Sequence, residues 1–197
     1  INLMAKDLDK RTIYTVLSRP ISRSQYIVGK FFGMIMLITV TMGILSLLAI
    51  SAIILLKTMH AGFFTRFSWQ TIVLADCLTV LMLIVLSAVS FLFASFTSSS
   101  FITLILSIIT YIIGQSLSGV KALLEGPSHE IGYTVSPVTI NMVKAAYYLF
   151  PNLSLFDIKL QAAHALPISS SFVMWTVMYG LVYITISITL AALIEEL

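Results

Sequence analysis

Two stretches of this chain go without charge for longer than a soluble fold tolerates, and they decide what it can become. Phe31 to Leu56 is 26 residues long and Cys77 to Val120 is 44, and neither holds a Lys, Arg, Asp, Glu or His. As a helix rising 1.5 Å per residue the first run reaches about 39 Å, more than the roughly 30 Å hydrocarbon core of a bilayer. The second is long enough for two passes. Thr97-Ser98-Ser99-Ser100 inside it is a tight polar turn, which predicts a helical hairpin of spans 71–96 and 101–118. A further apolar run, 169–194, ends just ahead of Glu195-Glu196. Backbone groups inside lipid must find partners within their own segment, so each run reads as helix. The expected class is an all-α, polytopic membrane protein. A composition 59% hydrophobic and 10% charged, with mean hydropathy +1.05, excludes an ordinary soluble domain.

The charge missing from the spans is concentrated ahead of them. Lys6 to Lys30 holds six of the eleven basic residues and two acids, Asp7 and Asp9. Positive charge packed against the start of a span marks the cytoplasmic side. The loop 5–30 is therefore inside, the serine-rich turn shares its side by parity, and loops 58–70 and 119–168 lie outside. Within the basic loop Asp9 is a candidate N-cap, and Ile13, Val16 and Leu17 fall on one helical face. Pro20 ends that helix, because proline disfavours helical geometry in the residue before it. Ser22 or Ser24 can cap the next helix, which runs through Gly29 into the membrane. By pattern alone the first helix suits the headgroup region.

Several smaller features call for a place in the fold. Gly29 and Gly33 are a small-xxx-small pair that would admit a neighbouring helix closely. Phe63, Phe64, Phe67 and Trp69, with Arg66 among them, form an interfacial aromatic cluster on the outer side. Asp76 stands in the first turns of the second span. A carboxylate there suits the positive helix end, although an acid within a membrane is also a functional candidate. Thr103, Ser107, Thr110, Gly114 and Ser118 recur every three or four residues. Such a stripe is either close packing between helices, a pathway lining or a dimer seam. In 119–168, Ser136-Pro137 reads as N-cap and first helical residue of a helix ending near Phe150, with Pro151 beyond. Ser154 then caps a second short helix, 155–165. Ile140, Val143, Tyr147 and Phe150 on the first, and Phe156, Leu160 and Ala163 on the second, make apolar faces for a folded outer cap lying at the interface.

The run from Thr12 to Arg23, TIYTVLSRPISR, closing on Gly29-Lys30, resembles the cytoplasmic loop of ABC-2 type transporter permeases. It is most similar to the branch containing the permease of the nitrous-oxide-reductase maturation system. That family usually has a glutamate and a glycine ahead of the Thr12 position, where Lys10-Arg11 stand here. The resemblance implies an ABC-2 (type V exporter-like) fold forming one transmembrane domain over 1–197, with four spans of an expected six. Ile1 to Met4 would then be the end of a preceding span. It further implies that the loop docks on a separate ABC ATPase subunit through Arg11, Thr12, Ile13, Tyr14, Val16, Leu17, Arg19 and Pro20. ATP and Mg belong to that partner and no cofactor to this chain. The permease is expected to work as a homodimer or paired with a second permease in the cell inner membrane. A non-transporting scaffold for a cytoplasmic partner or enzyme-maturation complex is the alternative from another class.

Other chemistries fail on their motifs. Gly29-Lys30 is followed by Phe31, and no phosphate-binding G-x-x-x-x-G-K-[ST] occurs. His129-Glu130 begins like a zinc-protease motif, but Tyr133 occupies the place of the second histidine. Both histidines downstream of Gly114-Gln115-Ser116, His129 and His164, fall in the outer segment, away from any intramembrane serine chemistry. The basic loop lacks the interleaved aromatics of a nucleic-acid surface. Met34, Met36, Met42, Met82 and Met178 are scattered without paired spacing and suit gap filling. The single cysteine, Cys77, excludes an internal disulfide.

Overall fold

The computed structural model describes residues 23–59, 68–125 and 137–196, and every regular element among them is helical. In chain order these are α1 (Arg23–Met59), α2 (Trp69–Phe96), α3 (Ser100–Glu125), α4 (Pro137–Leu149), a 3-10 turn (Leu153–Phe156), α5 (Lys159–Ala163) and α6 (Ser170–Glu196). Among the described residues four stretches are long and apolar enough to cross a membrane: Gln25–Met59, Trp69–Phe96, Ser100–Val120 and Ser170–Glu195.

Two of these helices overrun the uncharged windows that announced them. α1 is 37 residues, and it continues past Leu56 through Lys57, which sits in its last turn. A cation there suits the negative end of the helix, and its aliphatic stem can lie along apolar surface while the ammonium reaches water. α3 runs beyond Ser118 to Glu125, because nothing before Gly126-Pro127 interrupts helical geometry.

α2 is the central element. Leu78, Met82, Val85, Ala88, Val89, Ser90 and Phe91 are all buried along it. Toward its start Leu78, Met82 and Val85 form one core with Leu153, Phe156 and Ile158, flanked by Val177, Tyr179 and Tyr183 of α6. Toward its end Ala88 and Phe91 form a second with Ile27 and Phe31 of α1, flanked by Ile184, Ile188 and Ala192. α6 therefore follows α2 through both cores. α1 runs antiparallel to α2, since Phe31 meets Phe91 edge to face at 5.6 Å while Ser46 meets Asp76 further along. The opposite side of α1 is open. Met36 is 71% exposed, and a Cβ on Gly29, Gly33 or Gly43 would meet nothing within 4 Å. The close approach expected at Gly29 and Gly33 is thus not made to any described residue.

The segment between α3 and α6 departs most from expectation. α4 matches the proline-started helix, but the second helix, 155–165, does not form as one piece. A 3-10 turn at Leu153–Phe156 and the five-residue α5 replace it, and Ser154 lies inside the turn with no side-chain cap at either start. The break at Asp157 separates the two halves of the expected apolar face. Phe156 is wholly buried while Leu160 is 71% exposed and Ala163 is also exposed. Pro151, Asn152, Leu153, Phe156 and Ile158 are buried, so this piece dips in among α2, α3 and α6 as a wedge.

Candidate functional site

The wedge sits where two spans present no side chain. A Cβ on Gly114 of α3 would lie 2.6 Å from the Pro151 carbonyl oxygen and 2.7 Å from Cγ of Leu153. A Cβ on Gly180 of α6 would lie 3.2 Å from the edge of the Phe156 ring. Both glycines supply room for close backbone approach. Burial of Leu153 and Phe156 is worth about 1.5–3 kcal/mol each relative to leaving them in water.

Polar contacts hold the wedge in register. The backbone N–H of Asn152 donates to the Tyr179 hydroxyl at 2.8 Å. Ser154 donates to Oδ1 of Asn152 at 2.6 Å, and the hydroxyls of Ser118 and Ser154 hydrogen bond to each other. Just before the wedge, Tyr183 donates to the Leu149 carbonyl at 3.3 Å and ties the end of α4 to α6. A buried amide and hydroxyls are costly unless paired, so this network favours one seating of the segment.

The wedge ends one stripe of α3, and that stripe leads toward the other side of the bundle. Thr103, Ser107 and Thr110 are buried, and each donates its hydroxyl to the carbonyl four residues back at 2.8–3.2 Å. Gly114 receives the wedge and Ser118 bonds to it. Ser107 also borders a cavity of about 690 Å³ between α1, α2 and α3, whose walls include Met34, Leu37, Leu86, Phe91 and Tyr111. Among the described residues Lys30 is the one charged group on its lining.

Asp76 does not occupy the capping position expected of it. It is the eighth residue of α2, whose first turn contains no acid, and Ser46 of α1 donates to its Oδ2 at 2.6 Å. The same Ser46 oxygen lies 2.7 Å from the Met42 carbonyl. Asp76 is therefore an interhelical partner within the bundle. Among the described residues no three His, Cys, Asp or Glu side chains gather as metal ligands would. Residues Arg11, Thr12, Ile13, Tyr14, Val16, Leu17, Arg19 and Pro20 lie outside the described residues, as does the aromatic cluster Phe63, Phe64 and Phe67.

Sequence reading gave Pro151 only as a helix stop and missed Asn152, Leu153, Tyr179 and Gly180. The available signal was weak: a short PNLSLF run without helical period, and two glycines inside otherwise uniform spans.

Four spans, three of them packed on the central α2, with a wedge at one end and an apolar cavity toward the other, define a multi-pass α-helical membrane protein. The chain belongs to the ABC-2 family of transporters: the family model described as "ABC-2 family transporter protein" matches residues 1–194. Its role is accordingly that of a transporter permease. No curated protein and no solved structure matches it.

Proposed function

We propose that this chain is the membrane subunit of an ABC transporter, pairing with a second permease to form the substrate path and driven by ATPase subunits supplied in trans. The observation that carries this reading is the extent of the family match, which takes in the basic loop together with all four spans. ATP and Mg are held by the partner, and the cell inner membrane is the site of action. The Thr12 to Arg23 run supports a place near the nitrous-oxide-reductase maturation branch.

In this scheme residues 11–20 form the coupling element and α1 its lever. Nucleotide state can bias the spans only through a contact whose affinity differs between their two arrangements. Residues 11–20, which lie just ahead of α1 in the chain, supply such a contact. α1 in turn touches α2 and α6 through Phe31 and Ile27, so its displacement reaches the central helix directly. The wedge is the outer seal. Its seat is built from α2, α3 and α6, and a relative shift of these helices would release Leu153 and Phe156 and open the outer end of the path.

The test is Tyr14→Asp combined with Leu17→Asp, in the full transporter with its ATPase. ATP hydrolysis should be uncoupled from transport while membrane insertion is retained. A double variant that binds its ATPase and couples normally removes residues 11–20 from the coupling role. Purification without any accompanying ATPase would favour the scaffold instead.

A further inference from the structure

The cavity between α1, α2 and α3 carries more information than its volume. Its walls are almost wholly aliphatic and aromatic. Three of its hydroxyls, on Ser87, Ser90 and Ser107, each donate at 2.8 Å to a carbonyl of their own helix, so they are satisfied without a polar ligand. Among the described residues charge enters at one end only. Lys30, Ala94 and Leu104 lie toward the serine-rich turn, whereas Ile38, Leu83 and Tyr111 lie deeper in the bundle. From Leu83 to Ala94 α2 advances about 16 Å, close to half of the roughly 30 Å hydrocarbon core, which is the depth of one leaflet. The Lys30 ammonium donates to the Tyr26 hydroxyl at 3.3 Å and sits 5.4 Å from the centre of that ring. Arg19 and Arg23 precede it in the sequence. An apolar slot one leaflet deep with a cation at its rim is complementary to an amphiphile with an acyl tail and an anionic head.

We propose that this groove holds an acyl chain of an anionic phospholipid from the leaflet on the basic-loop side, with the headgroup phosphate at Lys30. The inference goes beyond the permease reading and does not depend on what is transported. Each part of the lipid meets matching chemistry: the tail lies along Met34, Leu86 and Phe91, and the phosphate meets the ammonium where the bilayer is already polar. A zwitterionic lipid would gain the first contact but little of the second.

The experiment uses the full-length transporter in liposomes with a tracer of phosphatidylglycerol carrying a diazirine on one acyl chain, compared with the matching phosphatidylcholine. Cross-links are mapped by peptide mass spectrometry. The groove walls should label about five-fold more with the anionic probe, the order expected from one cation at an anionic surface. Lys30→Gln should abolish that preference and Lys30→Arg should keep it. Ala94→Trp, which fills the slot, should remove labelling by both probes. If that variant does not fold, the Lys30 pair decides the matter alone. Equal labelling of the groove by the two lipids overturns the proposal. So does an unlabelled groove in which Leu37→Cys, in a Cys77→Ser background, forms a disulfide between two copies, which would assign the face to a second chain. Labelling is read without transport, so failure here leaves the permease reading intact.

Discussion

Gly114 of α3 approaches Pro151 so closely that a β-carbon on it would stand 2.6 Å from the Pro151 carbonyl oxygen. The obstacle is backbone, with Cγ of Leu153 at 2.7 Å beside it, so a methyl group cannot be admitted by turning a flexible side-chain tip. Gly114→Ala should therefore unseat the wedge at a cost of about 1–3 kcal/mol, the usual range for overpacking. Hydrogen exchange of the amides 152–157 in the detergent-solubilised protein should quicken, and the unfolding temperature should fall. Gly180→Ala meets only the Phe156 ring edge and a Leu81 methyl at 3.2–3.3 Å and should be milder. Unchanged exchange in the Gly114 variant would mean that the wedge does not rest there.

Phe156 and Leu160, four residues apart, should behave oppositely. Phe156→Ala removes a wholly buried ring and should destabilise by about 3–5 kcal/mol. Leu160→Ala alters a side chain that is 71% exposed and should stay within about 0.5 kcal/mol. Denaturant unfolding of the two variants in the same detergent provides the comparison, and similar losses would contradict the break at Asp157.

Ser46 and Asp76 join α1 to α2 through a 2.6 Å hydrogen bond inside the bundle. A double-mutant cycle with Ser46→Ala and Asp76→Ala should give a coupling near 0.6 kcal/mol and no more than about 1.7, as for other interhelical hydrogen bonds in membranes. Asp76→Asn should retain much of it, because an amide can still meet the hydroxyl. Strict additivity of the two alanine variants would mean that the contact contributes nothing.

Sidedness is accessible by thiol labelling. Cys77 is exposed, so the background is Cys77→Ser. A cysteine replacing Ser128 should react with an impermeant reagent on sealed cells, and one replacing Ser24 should not. Reaction at position 24 would place the basic loop outside and reverse the topology.

Much of this fold follows from the chain's linear pattern. Uncharged runs such as Phe31 to Leu56 can only be helices in a bilayer, because their backbone groups have no other partners there. Pro137 and Pro151 likewise bracket α4, since proline acts on its immediate neighbours. The ends of α1 and α3 were less legible, because a window of charge marks the edge of lipid rather than the edge of a helix.

What the sequence by itself determined is the set of local facts: four apolar helices, a basic approach to the first of them, and the proline punctuation of the segment ahead of the last. Only the tertiary structure decided that Asp76 meets Ser46 in α1, that the α3 stripe buries its hydroxyls and ends under Pro151, and that Leu153 and Phe156 turn inward while Leu160 turns out. The physical reason is that helical period assigns a face but not the neighbour that covers it. In lipid every face of a span is apolar, so the choice falls to shape: a glycine here, a ring there, and the one seating in which Asn152, Ser154, Ser118 and Tyr179 satisfy one another.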